Sequence, residues 1–208
     1  RFMEENRNRP MFIFFSTNLP HGPVDIPPEE NTYAGSPAIR QAYGNASGTN
    51  RECSGAAEEY ASMVDKLDRQ VGAIVDQVRK LGLDKRTIII FSSDNGHELY
   101  YRTDKGRGRG PDCHGGVLDG TGELLDVFRG SRGRVGPNNA MANLAGLKWP
   151  SHEGGIRVPL IISWPGTLPH GKVCHSLVAN YDHMASFADL AGIRMPEGKD
   201  AVSYMDIL

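Results

Sequence analysis

Residues 60–94 constrain the fold more than any other stretch of this chain. Tyr60, Met63, Val64, Leu67, Val71, Ile74, Val75, Val78 and Leu81 recur at three- and four-residue intervals, which lays one apolar stripe along a helix. Lys80 suits the negative end of the helix dipole, and Gly82 stands where a chain leaving a helix takes positive φ. The short link LGLDKR leads straight into TIIIFSSD, an apolar β-branched run without polar alternation. A run of that kind is covered on both faces, as in a parallel sheet flanked by helices. Helix, tight link and apolar strand together predict an α/β domain, with a mostly parallel sheet and helices packed on its faces.

The rest of the chain fits that frame. Residues 11–15, MFIFF, read as a buried strand running out into a proline-rich loop. From about residue 22 to residue 50 the chain is rich in Pro, Gly, Asn and Ser and reads as a long surface loop. Residues 97–148 are glycine-dense and charged, a second long loop of the kind that borders functional sites. GGIRVPLIISWPG supplies a third strand with Pro159 at its start, where a missing N–H is tolerated. NYDHMASFADLAG has helical spacing at Tyr181, Met184, Phe187 and Leu190, and Gly192 ends it.

Composition narrows the function classes. A net charge of −2 offers no case for a nucleic-acid-binding surface. No apolar run approaches the roughly 18–20 residues that span a bilayer. Cys53, Cys113 and Cys174 are far apart and form no C-x-x-C pair, so neither a zinc site nor a redox motif is expected. RFMEENRNRPMFIFF has neither an initiator methionine nor the layout of a signal peptide, and SYMDIL stops abruptly, so the chain is expected to be a piece of a longer protein.

Asp94 and Asn95 follow the apolar strand directly. Ligands of open α/β sheets gather outside the carboxyl ends of strands, and a carboxylate beside an amide carbonyl offers hard oxygens suited to Ca²⁺ or Mg²⁺. Asp-Asn-Gly is also a common turn, in which Asp94 caps and Asn95 takes the left-handed position before Gly96. A single aspartate does not neutralise a divalent ion, so a metal here requires ligands from elsewhere. His21, in LPHGP, also follows an apolar run and could donate to an anion or move a proton, although loop histidines are commonly just solvated. Lys148 lies five residues before Glu153-Gly154-Gly155, and a lone lysine is ordinarily a surface charge. The two glycines permit a tight entry into the strand, and Glu153 is placed to pair with Arg157.

Taken in order, LPHGP, YASMVDKLDRQVGAIVDQVRKLGLDKRTIIIFSSDNG, GLKWPSHEGGIRVPLIISWPG and LVANYDHMASFADLAGI…VSYMDIL resemble the sulfatase family, within the alkaline-phosphatase-like superfamily. The resemblance covers most of the chain outside the two long loops. It implies the middle and C-terminal part of a catalytic domain, spanning residues 1–208, that hydrolyses aryl or carbohydrate sulfate esters. The expected cofactors are a divalent metal, usually Ca²⁺ with Mg²⁺ as the alternative, and a formylglycine made from Cys or Ser in a C/S-x-P-x-R motif. By the same resemblance, Asp94 and Asn95 are expected to bind the metal. His21 is expected to contact the sulfate and protonate the leaving group, and Lys148 to bind a sulfate oxygen. Expected partners are a sulfated small molecule or glycan, with no nucleic acid, no membrane span, and the remainder of the same domain; the expected location is periplasmic or secreted, or lysosomal in a eukaryote.

The departure from the pattern is equally specific. CSGAA, CHGGV and CHSLV all lack proline at +2 and arginine at +4, and SPAIR at 36–40 has its proline one place early. The nucleophile is therefore expected outside this chain, which alone should not turn over. Two other readings stand beside the first: a phosphate or phosphonate ester hydrolase of the same superfamily, and a non-catalytic protein that binds sulfated glycans.

Overall fold

A computed structural model describes residues 1–21, 26–39, 51–96, 148 and 151–208, with side chains in the long helix described from Glu58 onward. The expected loop at 97–148, apart from Lys148, lies outside the described residues, as do Cys113 and residues 40–50. The chain divides into two compact units, residues 1–82 with 95–159 and residues 83–94 with 160–208.

The first unit is built on α2, Arg51–Lys80, which follows the short α1 at Phe2–Asn6. The apolar spacing read from the sequence does turn one stripe inward: Met63 is 3% and Val78 4% exposed. Val64, counted in that stripe, is exposed. Gly82 ends the helix at φ +65° and donates its N–H to the Arg79 carbonyl at 2.9 Å. That backbone conformation is rare for residues with a Cβ, and it is the reason for glycine here. The Gln77 amide donates to Glu4 Oε1 at 3.1 Å, tying α1 to the last turns of α2.

The segment expected to be a solvated loop after residue 22 is partly fastened to α2. Ile26 is buried against Met63, with Leu19 and Tyr60 packed on that pair. Beyond it a row of polar contacts holds the chain down. Gly35 N–H donates to the buried Glu58 carboxylate at 2.9 Å, Tyr33 N–H to Ser62 Oγ at 3.1 Å, and the Thr32 hydroxyl to Asp65 at 3.0 Å. Lys66 adds an ion pair with Glu30. Glu58, Ser62, Asp65 and Lys66 lie three, four or one residue apart, so one helix face meets the loop.

Residues 11–15 differ from expectation. They form no strand, and Phe12 and Phe14 are 72% and 82% exposed. A strand exists only where a second backbone satisfies its N–H and C=O groups, and apolar character alone does not supply one.

The second unit contains β1, Ile89–Ser92, and β2, Leu160–Ser163, both where the sequence places them. Ile89 faces Ser163 and Ser92 faces Leu160, in antiparallel register. The α/β class stands, but this one strand pair among the described residues is antiparallel, where a parallel arrangement was expected. Strand direction depends on the route of residues 93–159 between the two, which hydropathy does not report; α/β sheets that are otherwise parallel accept antiparallel strands. The Trp164 indole N–H donates to the Lys85 carbonyl at 3.2 Å, tying the end of β2 to the approach to β1.

In the first unit, α3 is one turn at Glu153–Ile156, and in the second, α4 spans Asp182–Leu190. The Tyr181–Met184–Leu190 stripe of α4 is exposed, whereas Ala185 and Ser186 are buried. Polar bonds explain the choice of face. Ser186 Oγ accepts the Tyr204 N–H at 3.0 Å and donates to the Asp182 carbonyl at 2.8 Å. The Asp182 carboxylate accepts Ala179 N–H at 2.8 Å and Val202 N–H at 2.9 Å. The C-terminal strap is thus hydrogen-bonded along α4. Among the described residues no helix is long and apolar enough to cross a membrane.

Candidate functional site

The site-forming residues of the first unit begin with a turn. Leu19 N–H donates to Thr17 Oγ1 at 3.1 Å, and His21 N–H donates to the Asn18 carbonyl at 2.8 Å. Leu19 rests on the Ile26–Met63 pair, so the turn is seated on α2. The His21 imidazole projects from it, exposed, and its Nε2 lies 2.8 Å from Lys148 Nζ. Two residues 127 positions apart in sequence therefore converge. An ammonium has donors only, so Nε2 can accept in this contact when the ring carries its proton on Nδ1. One fixed positive charge and one group able to carry a proton share a point on the surface. That is the minimum equipment for holding an oxyanion and protonating a departing oxygen.

Asp94 belongs to the second unit and Asn95 to the first, the boundary falling between them. Asp94 ends the β1 segment, exposed, with the Ser93 hydroxyl at 3.5 Å from Oδ1. Asn95 is half-buried, and its Nδ2 donates to the Gly96 carbonyl at 2.9 Å. That bond engages the amide nitrogen and assigns the oxygen to the opposite side of the group. The donor chemistry is oxygen-only, which fits a hard divalent cation and supplies only part of a shell. Among the described residues no three His, Cys, Asp or Glu side chains gather as a metal cluster.

Gly96 carries a constraint that local spacing does not report. The backbone bends at Asp94 and Asn95, and Gly96 itself takes no positive φ. Instead its N–H donates to the Gly155 carbonyl at 2.8 Å, and a Cβ at residue 96 would stand 1.8 Å from the Gly154 carbonyl oxygen. The glycine is required by close backbone approach, and it joins the Asp-Asn-Gly segment to the Glu-Gly-Gly turn. Glu153 and Arg157 pair across α3 at 3.2 Å, as their spacing predicts. Sequence inspection also passed over Thr17, whose only signal was a hydroxyl two residues before Leu19.

Cys174, in the second unit, is an exposed free thiol. Hydrogen bonds from Ser176 hold it below the usual thiol range, with a smaller contribution from Lys172.

Residues 1–193 match the family model described as Sulfatase. The chain belongs to the sulfatase family. Its similarity extends to N-acetylgalactosamine-6-sulfatase of Canis lupus familiaris, 25% identical over 99% of this chain and 29% of that enzyme. Arylsulfatase of Klebsiella aerogenes is 29% identical over 64% of this chain and 29% of its own length. Among solved structures, Ps i-CgsB in complex with k-i-k-neocarrahexaose superposes with a TM-score of 0.64 at 26% identity, over 97% of this chain and 34% of the other. This sulfatase sequence therefore spans under a third of the length of the curated relatives it matches, and its fold is the α/β fold of alkaline-phosphatase-like enzymes.

Proposed function

We propose that residues 1–208 form part of a catalytic domain that hydrolyses sulfate esters, aryl or carbohydrate, to an alcohol and inorganic sulfate. The observation that carries this reading is the 2.8 Å contact between His21 Nε2 and Lys148 Nζ, made by two residues of separate family motifs. Lys148 binds a terminal sulfate oxygen and turns its N–H donors from the imidazole to the anion. His21 Nε2 then takes a proton from solvent and passes it to the ester oxygen, as attack on sulfur by the nucleophile outside these residues forms one S–O bond and breaks the ester's. The charge on the leaving alkoxide or phenoxide is cancelled in the same step. Asp94 and Asn95 would hold the divalent cation, Ca²⁺ by its preference for oxygen ligands, through a carboxylate and an amide oxygen. When bound, the cation supplies Lewis-acid stabilisation of charge on the sulfuryl oxygens. The formylglycine precursor lies outside these residues in this reading, and an extracytoplasmic location accompanies it.

The test is turnover of 4-nitrophenyl sulfate by the complete protein. Lys148→Ala, His21→Ala and Asp94→Ala are each expected to lower turnover at least about tenfold, as removal of a charge-stabilising or proton-transferring group does. Calorimetric titration with Ca²⁺ adds a readout independent of activity: Asp94→Ala weakens binding, whereas Lys148→Ala leaves it in place. Wild-type turnover in both Lys148→Ala and His21→Ala ends the assignment.

A further inference from the structure

We propose that Thr17 is a positioning residue for His21, acting through the turn of residues 17–21; the inference rests on the sulfatase reading above and adds to it a residue outside the family motifs. Just before this turn Phe12, Ile13, Phe14 and Phe15 are all exposed. Packing begins at Thr17, which is half-buried and whose hydroxyl accepts the Leu19 N–H at 3.1 Å. A threonine hydroxyl reaching the N–H two residues on is a local clamp that sets the direction of the next peptide units. Leu19, the clamped residue, is also the foothold, packed against the buried Ile26 and Met63 beside Tyr60. Two residues later His21 N–H closes on the Asn18 carbonyl at 2.8 Å, which leaves the ring direction to follow from the turn.

The sequence of supports is therefore α2, Leu19, the Thr17 clamp, and then the imidazole. The far end of that chain has a narrow tolerance. His21 Nε2 meets Lys148 Nζ at 2.8 Å, and hydrogen bonds weaken steeply as distance and angle depart from ideal. Displacing a reacting group by about 1 Å costs on the order of a hundredfold in rate. Thr17 touches neither partner, so its contribution is to geometry alone.

The experiment compares Thr17→Val, Thr17→Ser and Leu19→Ala with wild type and His21→Ala in the complete protein. Each is assayed for kcat and KM on 4-nitrophenyl sulfate and for melting temperature. Valine keeps the shape and removes the acceptor, while serine keeps the acceptor. Thr17→Val is expected to lower kcat about tenfold with KM little changed, because an interaction felt in the transition state is misaligned rather than a binding contact removed. Thr17→Ser restores kcat to near wild type, and Leu19→Ala lowers kcat as Thr17→Val does. A purely structural role would lower the melting temperature without changing kcat per folded molecule. Wild-type kcat in folded Thr17→Val and in Leu19→Ala, or equal loss in Thr17→Ser and Thr17→Val, overturns the inference. If Thr17→Val does not fold, Leu19→Ala against His21→Ala decides alone. Wild-type turnover in His21→Ala removes the underlying reading of the site instead, so the two failures are distinguishable.

Discussion

Replacing Gly96 with alanine tests the joint between the Asp-Asn-Gly and Glu-Gly-Gly segments. The added Cβ would lie 1.8 Å from the Gly154 carbonyl oxygen, 2.8 Å from its carbon and 2.9 Å from Gly155 Cα. All three neighbours are backbone, so no side chain can swing aside. Reaching even the 3.0 Å limit below which real Cβ contacts are essentially never seen requires a displacement of about 1.2 Å. The 2.8 Å bond from Gly96 N–H to the Gly155 carbonyl breaks with it. Overpacking of that kind costs about 1–3 kcal/mol, and a lost hydrogen bond about 0.5–1.5 kcal/mol, for a total of roughly 2–4 kcal/mol. At about 2–4 °C per kcal/mol for a domain of this size, the melting temperature should fall by about 5–15 °C. Because Asn95 is the adjoining residue, sulfate-ester turnover in the folded fraction should fall as well. Gly72→Ala is the control. It lies in α2 with nothing within 4 Å of its ideal Cβ and no positive φ, so alanine is expected to be neutral or stabilising by up to about 1 kcal/mol. Differential scanning fluorimetry on the pair decides the matter: a Gly96→Ala melting temperature within about 1 °C of wild type refutes the close-approach reasoning.

Two further outcomes follow from buried polar groups. Ser62 is fully buried and donates to Asn31 Oδ1 or the Glu58 carbonyl while accepting Tyr33 N–H. Ser62→Ala strands these partners and should cost about 1–3 kcal/mol in urea denaturation, with an unchanged midpoint counting against the loop clamp. His183 contacts the Tyr204 hydroxyl at 2.8 Å through Nδ1 and stacks on Phe187; burial lowers its pKa, partly opposed by Asp182. The folded state thus favours the neutral ring, so its contribution is present above the unfolded value of 6.5 and is lost as pH falls below that value toward the folded one. His183→Gln should flatten the wild-type decline in melting temperature below pH 6.5, and parallel curves for the two proteins would show that this histidine is not the cause.

Those features that arise from local spacing were legible in the sequence. The α2 stripe, the left-handed Gly82, the positions of β1 and β2 and the Glu153–Arg157 pair all follow from periodicity or from i,i+4 geometry. What escaped detection is tertiary. Antiparallel register depends on where a connection of many residues delivers β2. The fastening of residues 26–36 to α2 depends on Glu58 and Ser62, which read as ordinary polar positions on a helix. Gly96 matched a turn signature so well that its real constraint, the Gly154 carbonyl, could not be inferred from its neighbours. Residues 11–15 show the opposite case: five apolar residues report a buried strand, yet Phe12 to Phe15 are exposed and no strand forms there. Of the candidate site residues, His21 and Lys148 were each unremarkable alone and gain meaning from meeting; no local rule links positions 127 apart.

Charge also bears on which ester this site would prefer. A sulfate monoester carries one negative charge over three terminal oxygens, whereas a phosphate monoester carries about 1.5 to 2 near neutral pH. The described pair offers one ammonium, Lys148, with the His21 imidazole 2.8 Å from it. In the proposed reading Lys148 would balance a sulfate ester one for one. A phosphate ester brings further charge, which has to be met by other groups or left partly uncompensated. Selectivity is a difference between two binding energies, and an unmatched charge acts against the wrong substrate more strongly than an added contact helps the right one. In the proposed reading the carboxamide of Asn95 would tend the same way, since it would add an oxygen ligand without adding charge. Replacing it by aspartate leaves the oxygen in place and adds a negative charge. Asn95→Asp should therefore strengthen Ca²⁺ binding while lowering turnover of 4-nitrophenyl sulfate relative to wild type, and unchanged values of both would show that Asn95 does not face the ion.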